Sequence, residues 1–443
     1  MENSILAKRF TAGSILRFAF PNIVMMIFLS LYTIADGMFI SRYVGTTALS
    51  STNMCYPIIS VELAVGIMLG TGGGALIAKT MGEQKYKEAR EKLTLMVAAA
   101  IGLGFMIMVV FLIFLEPLLI FLGTSKAQMP YCMSYTKILL YFSIPLFLQS
   151  VFQVYFVTAG KPNLGLIVTV IGGVSNMILD YIFMGPMDMG IAGAAVATGI
   201  GYSIPAVSGM LYFTFNRTGP LFFTRFHWNT KTFLKSCGNG SSEMITNVAV
   251  AITSFLFNII FMKYWAEDGV AAITIILYFQ FVFAAVFMGF SVGVAPVISY
   301  KYGAGDKKQL KYIVRICFGY IFLFSVAVYM ISMITIQTGL SIFTDPGGAV
   351  FKLCMEGFPI FAVSFVLMGI SIYASALFTA LSNGIASGII SFARTFVFLV
   401  GSLLILPEIL GETGIWMAVP AAEALGVLVS AGFVIWGKNR YGY

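Results

Sequence analysis

Long apolar stretches follow one another along most of the chain, separated by short polar segments. A helix that crosses a bilayer needs about 20 apolar residues, so a window of about 19 residues finds such segments. The pattern predicts twelve membrane-spanning helices, six on each side of a polar break. We place them near residues 17–41, 52–78, 93–116, 131–157, 163–185, 190–215, 238–262, 269–299, 313–337, 353–381, 386–406 and 414–436. The expected fold class is an all-α integral membrane protein.

Composition supports this fold class and excludes several functions. Hydrophobic residues make up 59% of the chain and charged residues 10%, whereas a soluble domain has about 25% charged residues. The net charge of +8 lies in short segments between apolar runs, so no nucleic-acid partner is expected. Five single cysteines and one histidine form no metal or disulfide pattern. We therefore expect neither an enzyme nor a cofactor.

The positions of Lys and Arg predict the orientation of the chain, because cytoplasmic loops keep an excess of them. Of the 26 basic residues, 20 lie at the two termini and in the even-to-odd loops, counting the flanking ends of the spans. We therefore expect a multi-pass protein of the plasma membrane (the inner membrane in a cell that has two), with both termini cytoplasmic.

The two halves of the chain resemble each other. The segment that begins at Gly66, GIMLGTGGGALIAKTMGEQKYKEAREKL, is similar to the segment FMGFSVGVAPVISYKYGAGDKKQLKYI, and an offset of 221 residues places Gly82 on Gly303. Six spans per half is an even number, so both halves enter the membrane from the same side as parallel repeats. The predicted units are an N-terminal six-helix bundle (1–216), a cytoplasmic linker (217–236) and a C-terminal six-helix bundle (237–443).

Two such bundles suit a solute carrier that works by alternating access. A channel or a membrane-embedded enzyme is the alternative class. The sequence has neither a selectivity-filter motif nor a cluster of metal ligands to favour it.

Four polar residues of the N-terminal half form the main candidate site. Asp36 lies late in the first span and Asp180 late in the fifth, which runs in the same direction, so both reach a similar depth. Asn176 lies one helical turn before Asp180, and Thr198 of the sixth span adds a hydroxyl. These oxygen ligands suit Na⁺, and a close pair of carboxylates suits a proton equally well. The alternative is that Asn176 and Asp180 only tie helices together.

Other acids have competing interpretations. Glu243, near the start of the seventh span, either caps that helix or lines the cytoplasmic half of a cavity and attracts cations. Arg394 and Glu423 are expected to pair, and Glu62 and Glu356 also lie in or near spans. The further candidates for a substrate cavity are Tyr32, Gln149, Gln153, Asn247, Tyr278, Gln280, Met368 and Tyr373.

Three segments carry a family resemblance: FPNIVMMIFLSLYTIADGMFISRYVG, GGVSNMILDYIFM with MGIAGAAVATGIGY, and YKYGAGD. With them the chain, over nearly its whole length, resembles the prokaryotic multidrug and toxic compound extrusion (MATE) transporters, within a superfamily that includes lipid-linked sugar flippases. The resemblance places the family's cation or proton site, in the N-terminal bundle, on Asp36, Asn176, Asp180 and Thr198.

The resemblance implies two six-helix bundles that form a V. It also implies export of a cationic or amphipathic small molecule, in exchange for inward H⁺ or Na⁺, by a protein whose partners are that substrate and the lipid bilayer. A monomer is expected. The tenth span, FPIFAVSFVLMGISIYASALF, departs from branches with a deep acid there, because Glu356 lies only near its start. Glu243 is therefore the acid expected in the C-terminal bundle.

Two alternatives stay open. A flippase or exporter for a lipid-linked or other specific metabolite should have a cavity rich in Arg and Lys, and only Lys137 and Arg394 lie within spans. A scaffold or sensor that transports nothing would not need acids at matching depth.

Overall fold

The chain is helical along almost its entire described length. The structure is a computed structural model that describes residues 4–443, apart from the side chains of Thr46 and Ala251. A short 3₁₀ helix (Ile5–Ala7) precedes the main helices. These are α1 (Ala12–Tyr43), α2 (Thr46–Gly82), α3 (Tyr86–Ile113), α4 (Leu115–Phe121), α5 (Met129–Tyr141), α6 (Ser143–Thr158), α7 (Pro162–Met184), α8 (Gly190–Phe215), α9 (Thr230–Gly303), α10 (Lys307–Phe343), α11 (Ala349–Ala380), α12 (Gly384–Phe392), α13 (Leu399–Leu410) and α14 (Glu412–Tyr441).

The span count agrees with the twelve predicted helices. Ten helices of the described residues are long and apolar enough to cross a membrane, and the bent pair α5 and α6 adds an eleventh. One of the ten, α9, has 74 residues, or about 110 Å at 1.5 Å per residue, while the hydrocarbon core is about 30 Å thick. Ala266 interrupts α9 with φ 50° and ψ −139°. Two spans therefore lie in α9, one on each side of Ala266.

Two predicted spans contain breaks that the hydropathy pattern did not indicate. The fourth, 131–157, consists of α5 and α6 bent by 58° at Phe142. Pro145, in the first turn of α6, has no N–H to continue a helix from α5. In the eleventh span, a π-helical turn (Ala393–Phe398) joins α12 to α13.

Breaks between helices recur at equal spacing in the two halves. Residues with positive φ pair across the chain at an offset of 221: Gly45 with Ala266, Gln84 with Gly305, and Gly190 with Gly411. Since these positions separate consecutive spans, the chain contains two parallel repeats, as the sequence predicts. The exact limits of the two bundles and the linker stay a prediction.

The two repeats meet through glycines at symmetry-related positions. Gly82 of α2 packs against the backbone of Tyr300 in α9, and Gly303 of α9 packs against the backbone of Lys79 in α2. A methyl group at either glycine would overlap the facing carbonyl oxygen. These glycines therefore let α2 and α9 cross at backbone contact, which brings the two halves together near one end of the bundle.

The predicted linker is held against α3. Arg90 donates from Nε to the carbonyl of Pro220 at 3.0 Å, and its guanidinium lies 4.0 Å from the centre of the Phe222 ring. Helix α9 begins at Thr230, so the last residues of the predicted linker are helical.

Candidate functional site

Asp36 and Asp180 come together between α1 and α7. Their carboxyl groups are close enough to interact electrostatically, and Asp180 is 0% exposed. Both oxygens of Asp180 and Oδ1 of Asp36 are buried without a hydrogen-bond partner in residues 4–443. Ionised carboxylates only accept hydrogen bonds. The geometry therefore suits a pair that shares a proton or a cation.

Asn176 and Thr198, the other two predicted site residues, also meet. Asn176 Nδ2 donates to Thr198 Oγ1 at 3.3 Å, which joins α7 to α8. Both side chains line a cavity of about 240 Å³ of empty space, including its open mouth, together with Tyr32 and Gln149. Asn176 Oδ1 is buried without a hydrogen-bond partner. An acceptor oxygen thus remains available one helical turn before Asp180, and neither acid of the pair lines this cavity.

Small residues let the three helices of this site approach closely. A methyl group at Gly172 of α7 would lie 2.7 Å from the carbonyl oxygen of Gly201 in α8. One at Gly173 would meet the ring of Phe28 in α1. The sequence pattern GG in α7 and GIG in α8 therefore brings the short side chains of Asn176 and Thr198 within reach of each other.

Tyr202 is a residue of this site that sequence reasoning missed. It lines the same cavity as Tyr32 of α1. The signal was its position, one helical turn after Thr198 on α8, which places both on one face.

Glu243 lines a second cavity, of about 350 Å³ of empty space including its mouth, between the two halves. Thr71 and Val154 contribute from the N-terminal half, and Pro296 and Thr379 from the C-terminal half. The capping interpretation of Glu243 is wrong, because α9 begins at Thr230, more than three turns earlier. The acid therefore lies inside a helix and borders the space between the repeats.

The remaining cavity candidates are dispersed. Gln153 lies one turn after Gln149 on α6, with its Nε2 buried and unpartnered, and Asn247 donates to the backbone carbonyl of Glu243 at 2.8 Å. Tyr278 packs against Phe343.

Gln280 is half-buried in the part of α9 that follows Ala266. Met368 and Tyr373 lie in the packed hydrophobic core. The rings of Tyr373 and Phe318 form a T-shaped pair there, with their centres 4.8 Å apart. Neither Met368 nor Tyr373 lines either cavity described here. The roles of the predicted site residues stay predictions.

Arg394 and Glu423 form the expected ion pair. Arg394 donates from Nε to both carboxylate oxygens, at 2.8 and 3.0 Å, and from Nη2 at 2.7 Å. Both side chains are largely buried. The pair joins the π-helical turn to α14, so each charge is compensated inside the C-terminal half.

The donor set restricts the cations that fit. In the described part of the chain, no three His, Cys, Asp or Glu side chains converge as metal ligands. The side chains of Asp36, Asp180, Asn176 and Thr198 offer oxygen atoms, which are hard ligands for a cation.

Comparison with known families settles the assignment of the chain. Residues 21–182 and 230–404 match the MatE family. The chain belongs to the MatE family. This agrees with the resemblance carried by the sequence, and the two matched ranges correspond to the two halves of the fold.

Curated relatives of this MatE chain are export proteins. Multidrug export protein MepA of Staphylococcus haemolyticus is 23% identical over 433 residues, covering 96% of this chain and 94% of MepA. MepA of Staphylococcus aureus strain MRSA252 is 21% identical over 431 residues, with the same coverage of both chains.

Solved structures show the same fold. The outward-facing conformation of a multidrug resistance MATE family transporter of the MOP superfamily aligns with a TM-score of 0.92 at 22% identity, covering 100% of this chain and 98% of that one. A MATE structure in complex with MaL6 aligns with a TM-score of 0.91 at 21% identity, covering 98% and 97%. This MatE protein therefore has the MATE transporter fold.

Proposed function

We propose that this MatE protein is a secondary active antiporter that exports cationic or amphipathic compounds in exchange for inward H⁺ or Na⁺. Its curated relatives are named multidrug export proteins, which supports an exporter of varied small molecules. The two parallel repeats suit alternating access, in which the bundles rock about a site between them.

The acid pair Asp36 and Asp180 is the observation that carries the proposal. Two buried carboxyl groups in mutual reach repel when both are ionised, so binding of a proton or Na⁺ relieves a strong repulsion. The amide of Asn176, one helical turn before Asp180, and the hydroxyl of Thr198 that it contacts offer further oxygen atoms. Ion binding therefore changes how strongly α1, α7 and α8 attract one another, which couples the ion to the conformation of the N-terminal half.

The membrane potential drives such an exchange when more positive charge enters than leaves, as for a neutral substrate or for two ions per monovalent cation. Each net charge that moves inward through 100 mV releases about 2.3 kcal/mol. This sustains a substrate concentration ratio of about fifty, since each factor of ten corresponds to about 1.4 kcal/mol.

The same proposal places the protein in the plasma membrane as a monomer with both termini cytoplasmic. Labelling of single cysteines introduced near each terminus, with a reagent that does not cross membranes, tests the orientation. Labelling in inside-out vesicles but not in intact cells is the expected result.

Dye uptake into energised inside-out vesicles tests the transport function. The parent should accumulate a cationic dye, and Asp36→Asn and Asp180→Asn should abolish uptake because an amide neither takes up a proton at these pH values nor carries the negative charge that compensates Na⁺. Asp345→Asn, an exposed acid between α10 and α11, is the matched control and should transport normally. A protonophore, or omission of Na⁺, then identifies the ion.

Two outcomes would count against the proposal. Full uptake by both acid variants would remove the coupling role of the pair. An inactive parent would favour a flippase or an exporter of one specific metabolite.

A further inference from the structure

Glu62 is a buried acid outside the pair formed by Asp36 and Asp180. It lies within α2, is 1% exposed and has no ion-pair partner among residues 4–443. Its Oε1 is in close hydrogen-bond contact with the hydroxyl of Ser143. An ionised carboxylate at such a position is costly unless it is compensated, so a buried acid of this kind indicates a function.

The hydrogen bonds of Ser143 indicate where a proton lies. Ser143 Oγ is in contact with two acceptors, Glu62 Oε1 and the carbonyl of Leu140, the latter at 2.7 Å. A hydroxyl carries a single proton, which makes one full hydrogen bond. With Glu62 ionised, the two acceptors would have to share the one proton of Ser143, whereas a protonated Glu62 that donates to Ser143, while Ser143 donates to Leu140, makes each contact a full hydrogen bond. The geometry therefore corresponds to the neutral acid.

The contact lies at the bend between α5 and α6. Ser143 is the first residue of α6, next to Phe142, where the two helices meet at 58°. Gly66, one turn after Glu62, lets α6 approach, since a methyl group there would already lie 3.1 Å from Ser150. The ring of Phe142 in turn fills the space beside Gly199, the neighbour of Thr198. The bend thus contacts both α2 and the helix that carries Thr198.

Few other titratable groups face Glu62. Tyr202 of α8 is near enough to interact with it electrostatically. Lys137 of α5 is exposed, and the acids of α1 and α7 face each other. On α9, Glu243 lines the cavity between the halves, and the charged residues of α3 lie at its first turns, among them Lys92, which pairs with Glu88.

We propose that Glu62 is a second proton-binding site, whose proton is exchanged during transport in addition to the ion at Asp36 and Asp180. The transport part of this inference rests on the proposed function. When Glu62 releases its proton to water, Ser143 turns its single proton toward the new carboxylate, and the carbonyl of Leu140 loses that hydrogen bond. Rebinding of a proton restores the bond. The proton thereby controls the contact at the α5–α6 bend.

Infrared difference spectroscopy of the full chain in liposomes tests the site without any substrate. Titration of pH should reveal a carboxylic acid C=O band that disappears in Glu62→Gln and persists in the double variant Asp36→Asn with Asp180→Asn. Ser143→Ala, which retains the acid, should move this band to higher frequency because the hydrogen-bond partner is lost. A titrating band unaffected by both Glu62→Gln and Ser143→Ala would overturn the proposal, even if the protein exports no dye.

Steady-state dye accumulation tests whether the proton is transported. Gln mimics the neutral acid, so a Glu62 that is always protonated would leave Glu62→Gln as active as the parent, and that result would overturn the proposal. If the proton is exchanged, the variant loses one coupled charge, and its maximum accumulation ratio should fall by about fifty-fold at 100 mV. Glu116→Gln, an exposed acid of α4, is the control and should behave as the parent. The spectroscopic result separates a failure at Glu62 from a failure of the antiport function.

Discussion

Gln84 and Gly305, 221 residues apart, follow the ends of two long helices with nearly equal positive φ angles, 62° and 69°. Helix α2 ends at Gly82 and α9 at Gly303. The left-handed conformation costs an ordinary residue about 1–2 kcal/mol, and Gln84 adopts it while its amide donates to the hydroxyl of Tyr300 at 3.2 Å. The same backbone turn therefore follows the second span of each repeat. The residue with positive φ is glycine in the C-terminal repeat and glutamine in the N-terminal one.

Gly305→Ala should destabilise the protein by about 1 kcal/mol, because Ala at positive φ is strained. No atom lies within 4 Å of the new methyl group, so the cost comes from the backbone alone. Thermal unfolding in detergent measures it. Gly319→Ala, inside α10 and also free of neighbours within 4 Å, is the matched control and should stabilise the protein by about 0.5–1 kcal/mol. Equal changes in the unfolding temperature of the two variants would show that the positive φ of Gly305 carries no special cost.

The ion pair of Arg394 and Glu423 should be needed for folding of the C-terminal half. Glu423→Gln leaves the buried guanidinium without a counter-charge, and loss of one partner of a buried pair costs about 3–5 kcal/mol. The unfolding temperature in detergent should fall accordingly.

Replacement of both partners gives the control for this pair. The double variant Arg394→Met with Glu423→Leu has no uncompensated charge and should recover most of the stability lost in Glu423→Gln. A double variant as unstable as the single one would show that packing, not charge, dominates at the π-helical turn.

The bond from Asn176 to Thr198 should be needed at the candidate ion site. Thr198→Val keeps the shape but removes the acceptor of Asn176 Nδ2, which should cost about 1–3 kcal/mol and reduce dye uptake. Thr214→Val on the same helix is the control, since Thr214 bonds only the carbonyl of Met210 one turn earlier. Normal uptake by Thr198→Val would remove Thr198 from the site.

Hydropathy and helix direction predicted the spans and the acid pair. Span length and position depend on local composition, and the depths of Asp36 and Asp180 follow from counting residues along helices that run in the same direction. The bend at Phe142 was not predicted, because a 19-residue window averages over Pro145.

Contacts between helices were harder to predict than the spans. Tyr202 and the contact of Glu62 with Ser143 depend on which helices pack together, which the hydropathy pattern does not contain. Met368 and Tyr373 were expected to line a cavity, but α11 is buried on most of its faces. In such a helix, the polarity of a residue and its position in the span do not show whether its side chain lines a cavity or packs in the core.

Glu243→Gln should weaken the apparent affinity for cationic dyes. At an effective dielectric constant of about 20, a cation about 8 Å away gains about 2 kcal/mol from this charge, so the half-maximal dye concentration should rise about ten- to thirtyfold. The maximal rate should change less, because Glu243 lies apart from the acid pair of α1 and α7. Glu267→Gln, an exposed acid beside the break in α9, is the control. Concentration dependence of uptake in inside-out vesicles measures both parameters, and an unchanged half-maximal concentration would show that Glu243 does not face the transported cation.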